Sequence, residues 1–187
     1  ITLNSNMAFI TVAGVQDIGI DHGYASSENP VVGIAETGLK QGCNYIVTNN
    51  EQILERIMKD TQREGKIIVT PRRLYARYIW KKGIECLPEF PDLLEYNFDP
   101  MIVSQQQLAL AFACWLGSPS IFLTGYTLDS EKETPALKAF FRIYPQTKFA
   151  YIRKPNPQKI NIFNEYSNII VEDTNIFKEM LQHAIQT

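Results

Sequence analysis

Short apolar runs of strand length alternate with segments of helix length along most of this chain, and that alternation restricts its folds more than any other feature. The runs are MAFITVAG (7–14), YIVTN (45–49), KIIVT (66–70), SIFLTG (120–125), KFAYIR (148–153) and NIIVED (168–173). Several are apolar on both faces, as parallel strands covered by helices on two sides must be. Between them lie NEQILERIMKDTQREG, PRRLYARYIWKKG, SQQQLALAFACWLG and TPALKAFFRIYP, and TNIFKEMLQHAIQT closes the sequence. Each carries helix punctuation. Asn50 can cap the first and Gly65 end it; Pro71 suits a first turn and Gly83 a stop; Thr134-Pro135 starts a helix and Pro145 ends it. The pattern predicts an α/β protein, a three-layer sandwich around a mostly parallel sheet.

At 187 residues the chain is expected to form a single domain over 1–187. Two stretches fall outside the alternation. Residues 15–44 are rich in Gly, Asp and Ser, with room for a short helix near 31–41. Residues 84–100, IECLPEFPDLLEYNFDP, read as an irregular excursion. A net charge of −2 gives no electrostatic reason to expect nucleic acid or an anionic membrane as partner. No apolar run approaches the roughly 20 residues of a membrane span, and ITLNSNMAFITVAG lacks the basic region and cleavage site of a signal peptide. Cys43, Cys86 and Cys114 are odd in number and widely spaced. They predict buried reduced thiols in a reducing, cytoplasmic setting rather than disulfides or a metal site.

In open α/β sheets ligands sit beyond the carboxyl ends of the strands, where strand order reverses. Here those ends are Gly14, Thr48-Asn49-Asn50, Thr70-Pro71 and Thr124-Gly125-Tyr126-Thr127, all small or hydrogen-bonding. Asn can read a base or sugar edge, and Gly14 and Gly125 admit a ligand close to the backbone. The same residue types also serve ordinary strand-to-helix turns. Ser104, with Gln107 three residues on, fits a capping box. The helix it opens is apolar nearly all round and should be buried. Its free N–H groups would suit a phosphate if they face the cleft.

Familiar catalytic signatures are missing. AGVQDIG does not match a dinucleotide-binding glycine loop, and there is no Walker loop or nucleophile elbow. His22, beside Asp17 and Asp21, is a candidate base or ligand, or an ordinary loop histidine. His183 belongs on an amphipathic surface. PRRLYARYIWKK concentrates positive charge and aromatics, fit either to grip phosphate or to form a solvated face of snorkelling side chains.

LALAFACWLGSPSIFLTGYTL, a small-residue apolar helix feeding a strand, resembles the bacterial sialyltransferases that use CMP-sialic acid. It is also similar to the related Rossmann-like group that includes 6-hydroxymethylpterin diphosphokinase-like proteins. YIVTNNEQILERI, KIIVTPRRLYARY and TPALKAFFRIYPQTKFAYIRKPNP extend the likeness over about two thirds of the chain. The resemblance implies a Rossmann-like fold with CMP or another nucleotide, or a nucleotide sugar, as ligand and no further cofactor. It implies that Gly14 ends the first strand, that Asn50 contacts the nucleotide, and that Ser104 lies near its phosphate. Asn49, Gly125, Tyr126 and Thr127 complete the expected ligand-binding set.

Departures from the family are concentrated where its chemistry sits. Val15-Gln16-Asp17-Ile18 stands where the family has Asn-Gly-Pro-Ser, and Thr127 replaces the Asp of its Gly-x-Asp tip. No histidine-bearing lid follows that tip; Asp129, Glu131 and Glu133 are the acidic groups available as an alternative base. Two readings follow. One is a sialyltransferase-like domain that has lost catalysis and acts as a binding or scaffolding protein. The other is a glycosyltransferase with a non-histidine base.

Overall fold

The structure is a computed structural model that describes all residues except 2, 4, 5, 129, 130, 157–162 and 187. Its strands are β1 (Ile10–Ala13), β2 (Val31–Ile34), β3 (Tyr45–Val47), β4 (Ile67–Thr70), β5 (Ile84–Cys86), β6 (Ser120–Thr124), β7 (Lys148–Arg153) and β8 (Ile169–Asp173). They form one sheet in the order β5-β4-β3-β2-β1-β6-β7-β8, and every neighbouring pair is parallel. The helices are α1 (Thr37–Lys40), α2 (Glu51–Lys59), α3 (Arg72–Tyr78), α4 (Gln105–Leu116), α5 (Glu133–Ile143) and α6 (Thr174–Gln186). The fold is α/β and Rossmann-like, as the alternation predicts.

Side-chain alternation along the strands divides the core in two. Ile10, Val12, Val32, Ile34, Val47, Val69, Ile121 and Leu123 point to the layer built by α4 and α5. On the opposite face Ile46, Ile68 and Ile84 meet Leu39, Leu54, Ile57 and Leu74 of α1, α2 and α3. Phe9, Phe122, Ala150 and Ile152 meet Phe177 and Leu181 of α6. The sheet is thus largely apolar on both sides, with Thr11 and Thr124 among its buried polar residues, and burying both sides is the main source of its stability.

Two strands lie where the sequence pattern predicts none. VVGI, placed by the pattern in a short helix near 31–41, is the fully buried strand β2 in the middle of the sheet. Only Thr37–Lys40 of that stretch is helical. A four-residue apolar run has no period of its own, so its pairing with β1 and β3 decides its conformation. β5 opens the stretch read as an irregular excursion, and a 3-10 turn (Pro91–Tyr96) follows it.

Gly33 of β2 is needed because α1 lies directly on it. A Cβ there would stand 2.6 Å from Gly38 Cα and 2.6 Å from Cys43 Sγ. Gly33→Ala therefore forces the helix off the sheet and should lower the unfolding free energy by about 1–3 kcal/mol. Urea denaturation reads this directly; an unchanged midpoint would contradict the packing described.

Candidate functional site at the strand-order reversal

Strand order reverses between β1 and β6, since β1 leads to β2 on one side and β6 to β7 on the other. This is where an open α/β sheet presents its ligand crevice. Here the two chains remain hydrogen-bonded after leaving the sheet. The Gly14 N–H donates to the Thr124 carbonyl at 2.7 Å, and the Gln16 N–H to the Gly125 carbonyl at 3.0 Å. A Cβ on Gly14 would lie 2.2 Å from the Gly125 oxygen. One on Gly125 would lie 2.2 Å from the Gln16 oxygen, and the φ of Gly125 is +62°. Both positions therefore demand glycine, and the floor of the crevice is backbone.

Below that floor is a space of about 10 Å³, lined among others by Gln16, Asp17, His22, Gln41 and Thr124. It is on the scale of a single water molecule. His22 is buried, and its Nε2 lies 3.1 Å from the Thr124 hydroxyl. The same hydroxyl also reaches the Val12 carbonyl at 3.5 Å, so His22 is tied to β6 through Nε2. Among the described residues neither Nδ1 of His22 nor Oε1 of Gln41, both buried, has a partner. Burial drives the His22 pKa down to about 4, against the opposing pull of Asp21.

The amino end of α4 meets the same rim. Ser104 Oγ accepts the Gln107 N–H at 3.2 Å, which is one half of the expected capping box. The other half is not made, because the Gln107 amide turns to Glu133 instead. Thr48 donates its hydroxyl to Gln105 Oε1. Gln106 pairs in both directions with the backbone of Thr127: Nε2 donates to its carbonyl at 3.0 Å, and its N–H donates to Oε1 at 2.7 Å. Asn49 Nδ2 donates to the carbonyls of Pro100 and Val103 at 3.0 and 2.7 Å, holding the loop before α4. Asn50 Oδ1 caps α2 by accepting the Ile53 N–H.

Gly14, Asn49, Asn50, Ser104, Gly125 and Thr127 thus share the carboxyl rim, and the polar atoms of Asn49, Asn50, Ser104 and Thr127 make structural bonds there. Tyr126 does not face the crevice. It is 1% exposed, sits in the main core, and its hydroxyl donates to Glu133. Burial and the adjacent Glu133 carboxylate push its phenol well up. Glu133 is itself buried and engaged, whereas Glu131 is exposed on the surface. Asp129 lies outside the described residues. Gln41 and Gln106 escaped the sequence reading. Gln41 has no motif, and Gln106 is hidden within a cap signature.

The three cysteines are free. Burial raises the Cys43 thiol to about 12 and also raises Cys86 and Cys114. Among the described residues no group of His, Cys, Asp and Glu is placed to hold a metal ion, and no helix is long and apolar enough to cross a membrane.

No protein-family model matches this sequence, and no curated protein matches it significantly. Among solved structures it resembles the sialyltransferase CstII from Campylobacter jejuni in complex with cytidine-5'-monophosphate. That match has a TM-score of 0.52 and 14% identity, covering 78% of this chain and 79% of that one. The complex of CstII with CMP-3FNeuAc gives a TM-score of 0.53 and 16% identity, covering 78% and 80%. These likenesses establish a shared architecture.

Two outcomes test the geometry. The folded pKa of His22 lies below its ordinary 6.5, so the unfolded chain takes up a proton first as pH falls. Its contribution is whole above pH 6.5 and is lost toward pH 4, by up to roughly 3 kcal/mol. His22→Gln, neutral throughout, should flatten that part of the stability–pH curve; an unchanged slope would show that the ring is not held neutral. Gln106→Ala leaves the Thr127 N–H and carbonyl without their side-chain partner and should cost about 1–3 kcal/mol, measured by urea denaturation.

Proposed function

We propose that this protein is a sialyltransferase-like domain that binds a nucleotide or nucleotide sugar over the β1–β6 crevice, acting as a binding or scaffolding protein without glycosyl transfer. The observation that carries the reading is the crevice floor. Gly14 and Gly125 are buried there and pack backbone against backbone, and two buried polar atoms lining the same space, His22 Nδ1 and Gln41 Oε1, have no partner among the described residues. Buried polar groups ordinarily find partners. A ribose hydroxyl, which both donates and accepts, can pair with His22 Nδ1 in either tautomer and donate to Gln41 Oε1. Only one such group fits the space, so the rest of the ligand would lie over exposed Val15, Gln16 and Asp17. The bound CMP and CMP-3FNeuAc of the two CstII structures, which share the architecture, are consistent with a ligand of this class.

The absence of transfer rests on the groups available. A base must reach the acceptor hydroxyl and be able to take its proton. His22 is enclosed and poorly basic, and Glu133 is committed to Tyr126 and Gln107, which leaves Glu131, exposed on the surface, as the described carboxylate of that segment not so engaged.

Thermal denaturation and calorimetry with CMP, CDP and UDP test the binding. CMP is expected to raise the unfolding midpoint, by about 2.7 kcal/mol of stability at a hundredfold excess over Kd. Gln41→Leu should weaken it roughly tenfold, equivalent to loss of one hydrogen bond of about 1.4 kcal/mol. No response to any nucleotide at millimolar concentration would overturn the proposal. Release of sugar from a CMP-sugar donor faster than in buffer would overturn its non-catalytic part.

A further inference from the structure

α3 leaves the carboxyl end of β4 and returns the chain to the amino end of β5, so residues 79–83 emerge at the edge of the sheet opposite the crevice. A cavity of about 670 Å³ opens at this corner, with Lys59, Arg63, Lys66 and Lys82 in its wall together with Asp60 and Glu64. Arg63 donates to the Lys82 carbonyl at 3.0 Å, which fixes the 82–83 turn against the cavity. Asp60 is occupied in capping the turn that follows α2. The Lys66 ammonium is held by the carbonyls of Gly38, Leu39 and Gln41. Lys81 adds a further exposed cation beside Lys82.

Next to these cations stand two apolar side chains that the fold does not use. Ile79 is 59% exposed and Trp80 is 72% exposed. Exposed single apolar residues are ordinary, but a Trp and an Ile adjoining a lysine pair form an amphipathic tip. Tryptophan settles at the headgroup level of a bilayer, and lysines beside it reach lipid phosphates. The net charge of the whole chain, −2, conceals this local excess of positive charge.

We propose that this corner is a docking surface for an anionic lipid bilayer, with Ile79 and Trp80 entering the interface and Lys59, Arg63, Lys81 and Lys82 facing the headgroups. Charge complementarity attracts the corner, and the apolar pair gains by leaving water. Bases of a single-stranded nucleic acid would stack on Trp80, but Ile79 would contribute nothing to such binding. A bilayer accounts for both residues. The attachment is reversible, since two side chains bury little area.

The test is co-sedimentation with phosphatidylcholine vesicles containing or lacking phosphatidylglycerol. Binding is expected only with phosphatidylglycerol and should fall as salt is raised. Trp80 emission should shift to the blue on binding, because the other tryptophan, Trp115, already stacks on Phe112 within the fold. Trp80→Ala should remove the shift, and Lys81→Glu with Lys82→Glu should lower the bound fraction about tenfold or more. All three positions are exposed, and circular dichroism confirms that the variants are folded. Equal binding to both vesicle types, no binding to either, or variants that bind like the parent would overturn the proposal. So would retention of single-stranded RNA by the parent without any vesicle binding.

Discussion

The architecture depends on α4 having no face for water. From Leu108 to Ala113 every side chain is fully buried, and the helix packs on β1, β2 and β3 beside α5. Such a helix has nowhere to place polar side chains except at its ends. Its polar residues are gathered accordingly at Ser104–Gln107, and that first turn reaches the carboxyl rim. There the glutamines meet what the strands leave unsatisfied: Thr48 after β3 and the backbone of Thr127 after β6. Burial of the helix body therefore determines where the rim is held. The hold of Gln106 on Thr127 leaves the preceding Tyr126 in the core, with the Tyr151 hydroxyl donating to its carbonyl.

A second constraint acts on the opposite face. The connection from β1 to β2 contains no helix, so a loop covers the centre of the sheet where a helix would ordinarily lie. The strands beneath it carry polar residues, and the loop answers them individually. Tyr24 meets Thr11 at 2.7 Å, and His22 meets Thr124 at 3.1 Å. Desolvation makes each pairing expensive to break and holds both rings in their neutral forms. The loop is thus held by specific hydrogen bonds as well as by apolar contact, and it places His22 beneath the point where strand order reverses.

The layered fold was readable because six of its strands and its longer helices form runs that alternate along the sequence without help from any tertiary contact. Asn50 and Ser104 cap as their positions require. β2 and β5 were not readable, since each lies in a stretch outside the strand–helix alternation, β2 after a Gly-, Asp- and Ser-rich loop and β5 at the start of a proline-rich segment. The rim residues could be selected by type, but not their roles. Asn49 is suited equally to a nucleobase and to two backbone carbonyls, and only the loop at Pro100–Val103 decides between them. Tyr126 follows a glycine at a strand tip, yet the side on which its ring falls depends on the turn taken at Gly125, where φ is +62°. Gln41 carried no signal because its part in the crevice comes from the fold of a segment with no pattern of its own.

A floor made of backbone has a consequence for divergence. Side chains can change widely around Gly14 and Gly125 while the hydrogen bonds joining β1 to β6 stay in place, since those bonds use only amide and carbonyl groups. What cannot change is the absence of a Cβ at either glycine. Identity of 14–16% can therefore coexist with a common course of the chain. The groups that would give such a crevice chemistry lie on segments under no comparable constraint. A side chain at the rim can therefore be exchanged without disturbing the backbone bonds that join β1 to β6.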